Sequence, residues 1–456
     1  MHNVYAHGLL NLAASTAPDG DGGLFRDREP HITCRSISKL NLPRGGVILI
    51  PEPDILAASV TCGPLAKRGW VLQEQLLASR VLHFGEQLFW ECAEMWACET
   101  LSDGLTDTLN LLGDPWYFSI RRRILGITRS TTNIHWLPSA QQKFLYEVWD
   151  SICMEYSRRE LKEPGDKLIA FAGIMKRFKS LLSADDYMFG LWKGDLIPGL
   201  LWFADGLKSR CKAVAGPRIP SWSWLSQDGE ISYSSKERRY GYNLANLESL
   251  SMDESANDPS DSPQGGFYVM LFGVLHSAYL RCSGLNSPGH HSYDILFDNH
   301  IALSSGGLGR GTNLAKILLD DEDPIESGTC YLLPLVISED EDRRLRILHG
   351  IILNRPSSDG GDTYHRMGYF EATTFTRFFY EIEVSSTAPV AGNPWDSLDS
   401  YPQMDNEMTP EQRFLDHVNE SVQPGEFISC AQLQSFLGSY LNRIFRPLKA
   451  QMIPIS

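Results

Sequence analysis

Glu74, His83 and Cys92 are the side chains of the first hundred residues whose types could do chemistry. All three lie in the run Lys67 to Cys98, KRGWVLQEQLLASRVLHFGEQLFWECAEMWAC. A carboxylate beside an aromatic can be desolvated until it passes protons near neutral pH, and Glu74 shares a helical face with Trp70, Gln73 and Leu77. Its plainer reading is a solvated helix acid. His83 shares a strand face with Val81, Trp90 and Leu88, where a hydrogen-bonded packing imidazole competes with a general base. Cys92 could serve as a nucleophile with His83, but a thiol among apolar strand residues is usually inert.

Other sites carry weaker chemistry. His290-His291 has no further ligand at useful spacing, so surface histidines in a loop are expected rather than a metal site. Gly306 to Gly311, GGLGRG, lacks the Gly-Lys-Ser/Thr ending of a phosphate loop and reads as a hairpin loop. PDGDGG at Pro18 to Gly23 lacks the twelve-residue calcium pattern and reads as a solvated turn. Arg121 to Arg123 reads as a solvated basic face. Trp222 and Trp224 alternate with serines in IPSWSW, which predicts an extended segment presenting both indoles on one side, either as a ligand platform or as core packing.

The elements that must position these groups follow from patterning. Good helix formers after Pro64 predict a helix from about Leu65 to Ala78. Arg80 to Phe84 and Gln87 to Cys92 then read as a hairpin about Gly85-Glu86. A two-residue turn there sets Leu82 opposite Phe89 and Arg80 opposite Glu91, which predicts an Arg80–Glu91 ion pair. Residues 4 to 15 read as a helix flowing into a strand. Ser139 begins a helix, with Gln142 as capping partner and an apolar stripe of Leu145, Val148, Trp149, Ile152, Cys153 and Tyr156. Asp166 is placed to cap a second helix running to about Leu182, antiparallel to the first, and Asp195 to Phe203 reads as a third.

Beyond the polar stretch Ser251 to Gly266, read as a linker, strands are expected at Phe267–Leu275, Ile295–Leu303, Cys330–Ile337, Leu345–Leu353, Gly368–Glu371 and Phe378–Val384. They suit a compact antiparallel sheet or small barrel. Residues 385 to 426 read as a flexible segment and Ser429 to Phe445 as an amphipathic helix.

Composition narrows the partners. With 56 acidic against 41 basic side chains, the net field does not favour a nucleic-acid surface. Nine cysteines without a CxxC pair suggest neither a disulfide scaffold nor zinc, and so a reducing, cytoplasmic setting. No apolar run reaches the ~20 residues of a membrane span.

RGWVLQEQLLASRVLHF followed by QLFWEC resembles the RGWTLQERLLSPRVLHF and WEC block of fungal heterokaryon-incompatibility (HET) domain proteins. VYAHGLLNLAAS, YSRRELKEPGDKLIAFAGI, GLWKGDLIPGLLW and PSWSW extend the likeness over about residues 1 to 230. It marks Arg68, Gly69, Trp70, Leu72, Gln73, Glu74, Arg80, Trp90, Glu91 and Cys92 as motif positions, with Val71 where the family has threonine and Gln75 where it has arginine. The family's SYCWG-like and WIDALCI-like upstream strands have no counterpart, so the resemblance implies a domain entered part-way along.

It further implies an α+β chain. Residues 1–100 would be the end of a HET domain distantly similar to TIR domains, 101–250 a mainly helical region, 267–384 a β-rich domain, and 385–456 a flexible segment with a terminal helix. The implied role is nonself recognition and programmed cell death through protein partners, possibly with self-association, without a cofactor. Some TIR-like domains cleave NAD with a glutamate, which makes Glu74 the candidate for an alternative, enzymatic reading. A ligand-binding module is a further alternative.

Overall fold

The computed structural model describes residues 2–25, 60–99, 138–205, 219–234, 237–252, 267–287, 290–297, 300–304, 315–320, 327–340, 345–356, 363–373 and 451–455, with isolated positions besides. Arg121 to Arg123, residues 253–266 of the expected linker Ser251 to Gly266, whose first two residues instead end a strand, Gly306 to Gly311, the expected strand Phe378–Val384 and everything expected of residues 385 to 445 lie outside them. The chain divides into two units, Met1–Gly194 with Ala213–Gly216, and Asp195–Lys212 with Pro217–Ser456.

In unit 1, helix α1 (His2–His7) leads into strand β1 (Asn11–Ala13), as expected. The Asp19 carboxylate accepts the amides of Asp21 and Gly22 at 3.0 and 3.2 Å and so caps a short 3-10 turn over Gly20–Gly22. The single helix expected from Leu65 to Ala78 is instead two pieces, a 3-10 turn over Pro64–Lys67 and helix α2 over Gly69–Leu77. The break at Arg68 has a cause. Its backbone is extended (ψ 127°), which lets the Gly69 amide donate to Glu160 O at 2.8 Å and the Glu160 amide donate to Lys67 O at 2.6 Å.

After α2 come strands β2 (Arg80–Phe84), β3 (Leu88–Cys92) and β4 (Trp96–Cys98), in the sheet order β1-β2-β3-β4, with β1 parallel to β2 and the rest antiparallel. The hairpin exists where expected, but its register is shifted by one residue. Arg80 faces Cys92, Val81 faces Glu91, Leu82 faces Trp90 and His83 faces Phe89. The loop holds three residues, Gly85 to Gln87, closed by the Gly85 amide donating to Gln87 O at 3.2 Å. A slip of one residue flips a strand's faces. Phe89 and Glu91 therefore join Val81 and His83 on the buried side, and the expected Arg80–Glu91 pair is not formed.

Helix α3 (Pro138–Ser157) buries all six residues of the expected stripe. Gln142 does not act as a capping partner, because its amide donates to the Tyr146 hydroxyl at 2.7 Å, which donates in turn to the Asp185 carboxylate at 2.6 Å. Helix α4 (Lys167–Leu181) runs antiparallel to α3. Tyr156 meets Phe171 near one end and Trp149 meets Phe178 near the other, with ring centroids 4.8 and 5.0 Å apart. Asp166 precedes α4 without a side-chain capping bond.

Strands β5 (Tyr187–Met188) and β6 (Leu191–Trp192) form a hairpin whose two loop residues, Phe189 and Gly190, have φ of 39° and 88°. Such a turn favours Asn-Gly, and an aromatic residue at positive φ is strained. Phe189→Asn is expected to stabilise the chain by about 0.5–1 kcal/mol, read as a raised melting temperature. A lowered one would mean that ring packing outweighs the strain.

Unit 2 begins with helix α5 (Leu196–Gly199) and strand β7 (Trp202–Ala204). The helix expected over Asp195 to Phe203 is thus cut to one turn, because the chain after Gly199 pairs as β7 with strand β8 (Ile231–Tyr233). IPSWSW is not extended throughout: the Ser223 hydroxyl accepts the Leu225 amide at 3.1 Å and starts a 3-10 turn over Trp224–Ser226.

The main sheet of unit 2 is antiparallel and barrel-like, nearly closed. Its strands are β12 (His276–Ser287), β13 (His290–Phe297), β14 (His300–Ser304), β15 (Ala315–Leu319), β16 (Gly328–Asp340), β17 (Leu345–Asn354) and β18 (His365–Thr373), in the order β14-β13-β12-β16-β17-β18-β15, with the short strand β9 (Tyr242–Asn243) on β16. Its interior is apolar, with Leu280, Ile295, Cys330, Leu332, Ile352 and Phe370 at 0–1% exposure. The interval expected as one strand, Ile295–Leu303, is a hairpin of β13 and β14, and His290-His291 opens β13 rather than lying in a loop. A second sheet joins β10 (Asn246–Met252), β11 (Phe267–Gly273) and β19 (Gln451–Ile455). The mixed α and β architecture expected from sequence is present.

Candidate functional site

The motif residues build a clasp. Gly69 admits the chain at Glu160 because a Cβ there would sit 2.6 Å from Leu161 Cδ2. Trp70 Nε1 donates to the Asp166 carboxylate at 3.2 Å, so this aspartate, read as a helix cap, holds an indole instead. Gln73, 2% exposed, accepts the Gly173 amide at 2.9 Å. Its neighbour Leu72 is fully buried. Gln75 accepts from Arg159 at 3.3 Å, and Arg159 Nε and one terminal nitrogen bind Glu155 at 3.0 and 2.9 Å. Thus the block around Trp70 and the segment YSRRELKEPGDKLIAFAGI, distant in sequence, lock through both side chains and backbone.

Glu74 lies on the half-buried side of α2. Burial raises its carboxyl pKa, while a hydrogen bond with Tyr5 and the positive charge of Arg68 oppose the rise. Burial, with the nearby Glu74 carboxylate adding to it, pushes the Tyr5 phenol up to about 12. Burial thus disfavours the charged carboxylate, while the hydroxyl and the guanidinium beside it support that charge. Those contacts also tie α1 to α2, and Asn11 Nδ2 donates to the Glu74 carbonyl at 3.4 Å.

The one-residue register change creates an arrangement that sequence reasoning missed. His83 Nε2 lies 3.1 Å from Glu91 Oε2, and His83 Nδ1 lies 3.0 Å from the Ser15 hydroxyl. With the Nε2 proton on the imidazole facing Glu91, Nδ1 can accept from Ser15, the order of a serine–histidine–carboxylate triad with the two ring nitrogens exchanged. Exposure decides its role. Ser15, His83 and Glu91 are 2%, 0% and 2% exposed, so the trio is sealed and joins β1, β2 and β3 from inside. The packing reading of His83 holds. Cys92 does not meet His83; its thiol donates to Met95 O at 3.6 Å and accepts the Glu94 amide at 3.4 Å, so the two do not form the nucleophile–base pair that their types would allow. Of the remaining motif positions, Arg80 is exposed and Trp90 is half-buried.

In unit 2, Trp222 and Trp224 are 2% and 0% exposed, and Trp222 O accepts from Trp202 Nε1 at 3.0 Å. They pack the core and offer no platform. A polar chain crosses β16, β17 and β18. Ser338 lies 2.7 Å from His349 Nε2, Nδ1 lies 2.8 Å from the Tyr369 hydroxyl, and Tyr369 donates to Glu371 at 2.9 Å. Burial, aided by the charge of Arg238, lowers the His349 pKa to about 3, too weak a base for nucleophile activation near neutrality.

Among the described residues, no cluster of three or more His, Cys, Asp or Glu could hold a metal ion, and no helix is long and apolar enough to cross a membrane. No protein-family model, curated protein or solved structure matches the chain.

Proposed function

We propose that the chain is a heterokaryon-incompatibility-type signalling protein of the fungal cytoplasm, acting in nonself recognition and cell death through protein contacts rather than catalysis. The clasp carries this reading. Two sequence blocks that resemble the family separately are brought together in unit 1, with Gly69, Trp70 and Gln73 forming bonds across it. Residues of a catalytic motif converge on a cleft, whereas these converge on each other. A NAD-cleaving reading keeps one specific support, the raised carboxyl pKa of half-buried Glu74. The ligand-module reading loses its basis with Trp222 and Trp224 in the core.

Expression of the full chain and of Glu74→Gln in a filamentous fungus, with viability and NAD measured together, tests the proposal. Both forms are expected to cause death with NAD unchanged. Death and NAD loss that disappear together in Glu74→Gln would establish the enzymatic reading, and a wild-type chain without effect on viability would overturn the signalling role.

A further inference from the structure

Strand β19 (Gln451–Ile455) comes to its sheet from far along the chain. Residues 374–450 separate it from β18, and among the described strands it pairs with β11 alone. The pairing is antiparallel, with Ile455 opposite Val269, Ile453 opposite Leu271 and Gln451 opposite Gly273. Ile453, Ile455, Val269 and Leu271 are all fully buried, whereas Gln451 and Met452 are exposed. Two aliphatic anchors at alternate positions therefore hold the segment by its inner face.

The backbone is divided in the same way. Pro454 O accepts the Tyr364 amide at 2.8 Å, so the polar edge of residue 454 turns away from β11. In an antiparallel strand the backbone groups of one residue point to one side and those of its neighbours to the other. Ile453 and Ile455 thus turn theirs to β11, and the amide that Pro454 lacks falls on the outer edge, where the ladder with β11 does not need it. Buried side chains at alternate positions, joined to main-chain bonds along one edge, are the means by which a sheet recognises an extended peptide.

We propose that the edge of β11 is a binding site for an extended, uncharged peptide segment with aliphatic side chains two residues apart, that β19 fills it from within the chain, and that a partner protein's segment of the same pattern displaces β19. Val269 and Leu271 set the two anchor positions. The covalent link gives β19 a high effective concentration, so an incoming segment competes against a filled edge and the link sets the threshold for its entry. The inference goes beyond the signalling reading and does not rest on it.

The full chain with a glycine-flanked protease recognition sequence inserted between Lys449 and Ala450 tests it. The probe is a fluorescein-labelled peptide of Lys449 to Ser456, in excess over the chain, and the readout is its anisotropy. The cut chain is expected to bind the peptide, and the uncut chain to bind it roughly 100-fold more weakly. A peptide with Ile453→Asp should lose at least about 50-fold, and one with Gln451→Ala should stay within about twofold. In the uncut chain, Ile453→Asp should raise affinity for the unaltered peptide to that of the cut chain, which makes the result independent of cleavage. A cut chain that refuses the peptide, an uncut chain that never binds it at any concentration, or binding that ignores Ile453→Asp overturns the inference. So does a cut chain that unfolds, read by circular dichroism, because β19 would then be indispensable to the fold rather than exchangeable.

Discussion

Arg366→Ala is expected to destabilise unit 2 by about 3–5 kcal/mol, the range for removing one partner of a buried ion pair. Arg366 and Asp320 are each 1% exposed; Nε lies 2.8 Å and one terminal nitrogen 3.3 Å from the carboxylate. The terminal nitrogens also donate to the carbonyls of Leu200 and Trp202, and the guanidinium stacks 3.7 Å above the Trp202 ring. Truncation leaves a buried negative charge and takes a donor from each carbonyl. Arg366→Lys should recover little, since an ammonium cannot reproduce the planar fork. Arg366→Met with Asp320→Leu should recover much of the loss, because it removes both charges. Urea unfolding followed by tryptophan fluorescence measures all three. A loss below about 1 kcal/mol in the alanine variant would refute the role.

Acid should weaken unit 2 well before general denaturation, and His349 should carry much of that response. Unfolded, its imidazole takes a proton near pH 6.5; folded, it does so only near 3, because burial and Arg238 oppose the charge. Between these values the unfolded chain binds more protons, so stability is fully present above about pH 6.5 and falls as pH falls toward 3. The ceiling is on the order of 3–5 kcal/mol. Tyr369 and Glu371 complete the surroundings: the phenol is held neutral by burial, and the carboxylate lies beyond it. His276 is lowered to about 4, also by burial, and acts in the same direction. Unfolding free energies at pH 7, 5 and 4 for the wild type and His349→Gln test this. The variant should start less stable at pH 7 and lose less on acidification. Parallel pH profiles would exclude His349 as the source.

What the sequence disclosed depended on distance along the chain. The stripe from Leu145 to Tyr156 was legible because helical periodicity is local, and so were the cores of β11, β16 and β17. The hairpin was legible but its register was not. Gly85-Glu86 suggested a two-residue turn, and only the burial of Phe89 and Glu91 beside Val81 and His83 selects the three-residue one. Loop length therefore decided whether Glu91 met Arg80 or His83. The partners of Trp70 and Gln73 lie 96 and 100 residues away, and no local signal announces them. Asp166 had a sound local reading as a cap and was claimed by a distant indole. Ser223 shows the reverse: a capping residue inside an alternating pattern turned an expected extended segment into a 3-10 turn.

The clasp has a consequence in time. Gln73 receives its hydrogen bond from Gly173, 100 residues later in the chain. At about 5–20 residues per second of synthesis, helix α2 leaves the ribosome roughly 5–20 s before the helix that covers it exists. Through that interval Val71, Leu72 and Leu76 have no permanent cover from α4, and nine residues are too few for a helix to persist alone in water. The apolar face of this segment is thus exposed during its own synthesis, and the rate of translation up to Gly173 sets for how long.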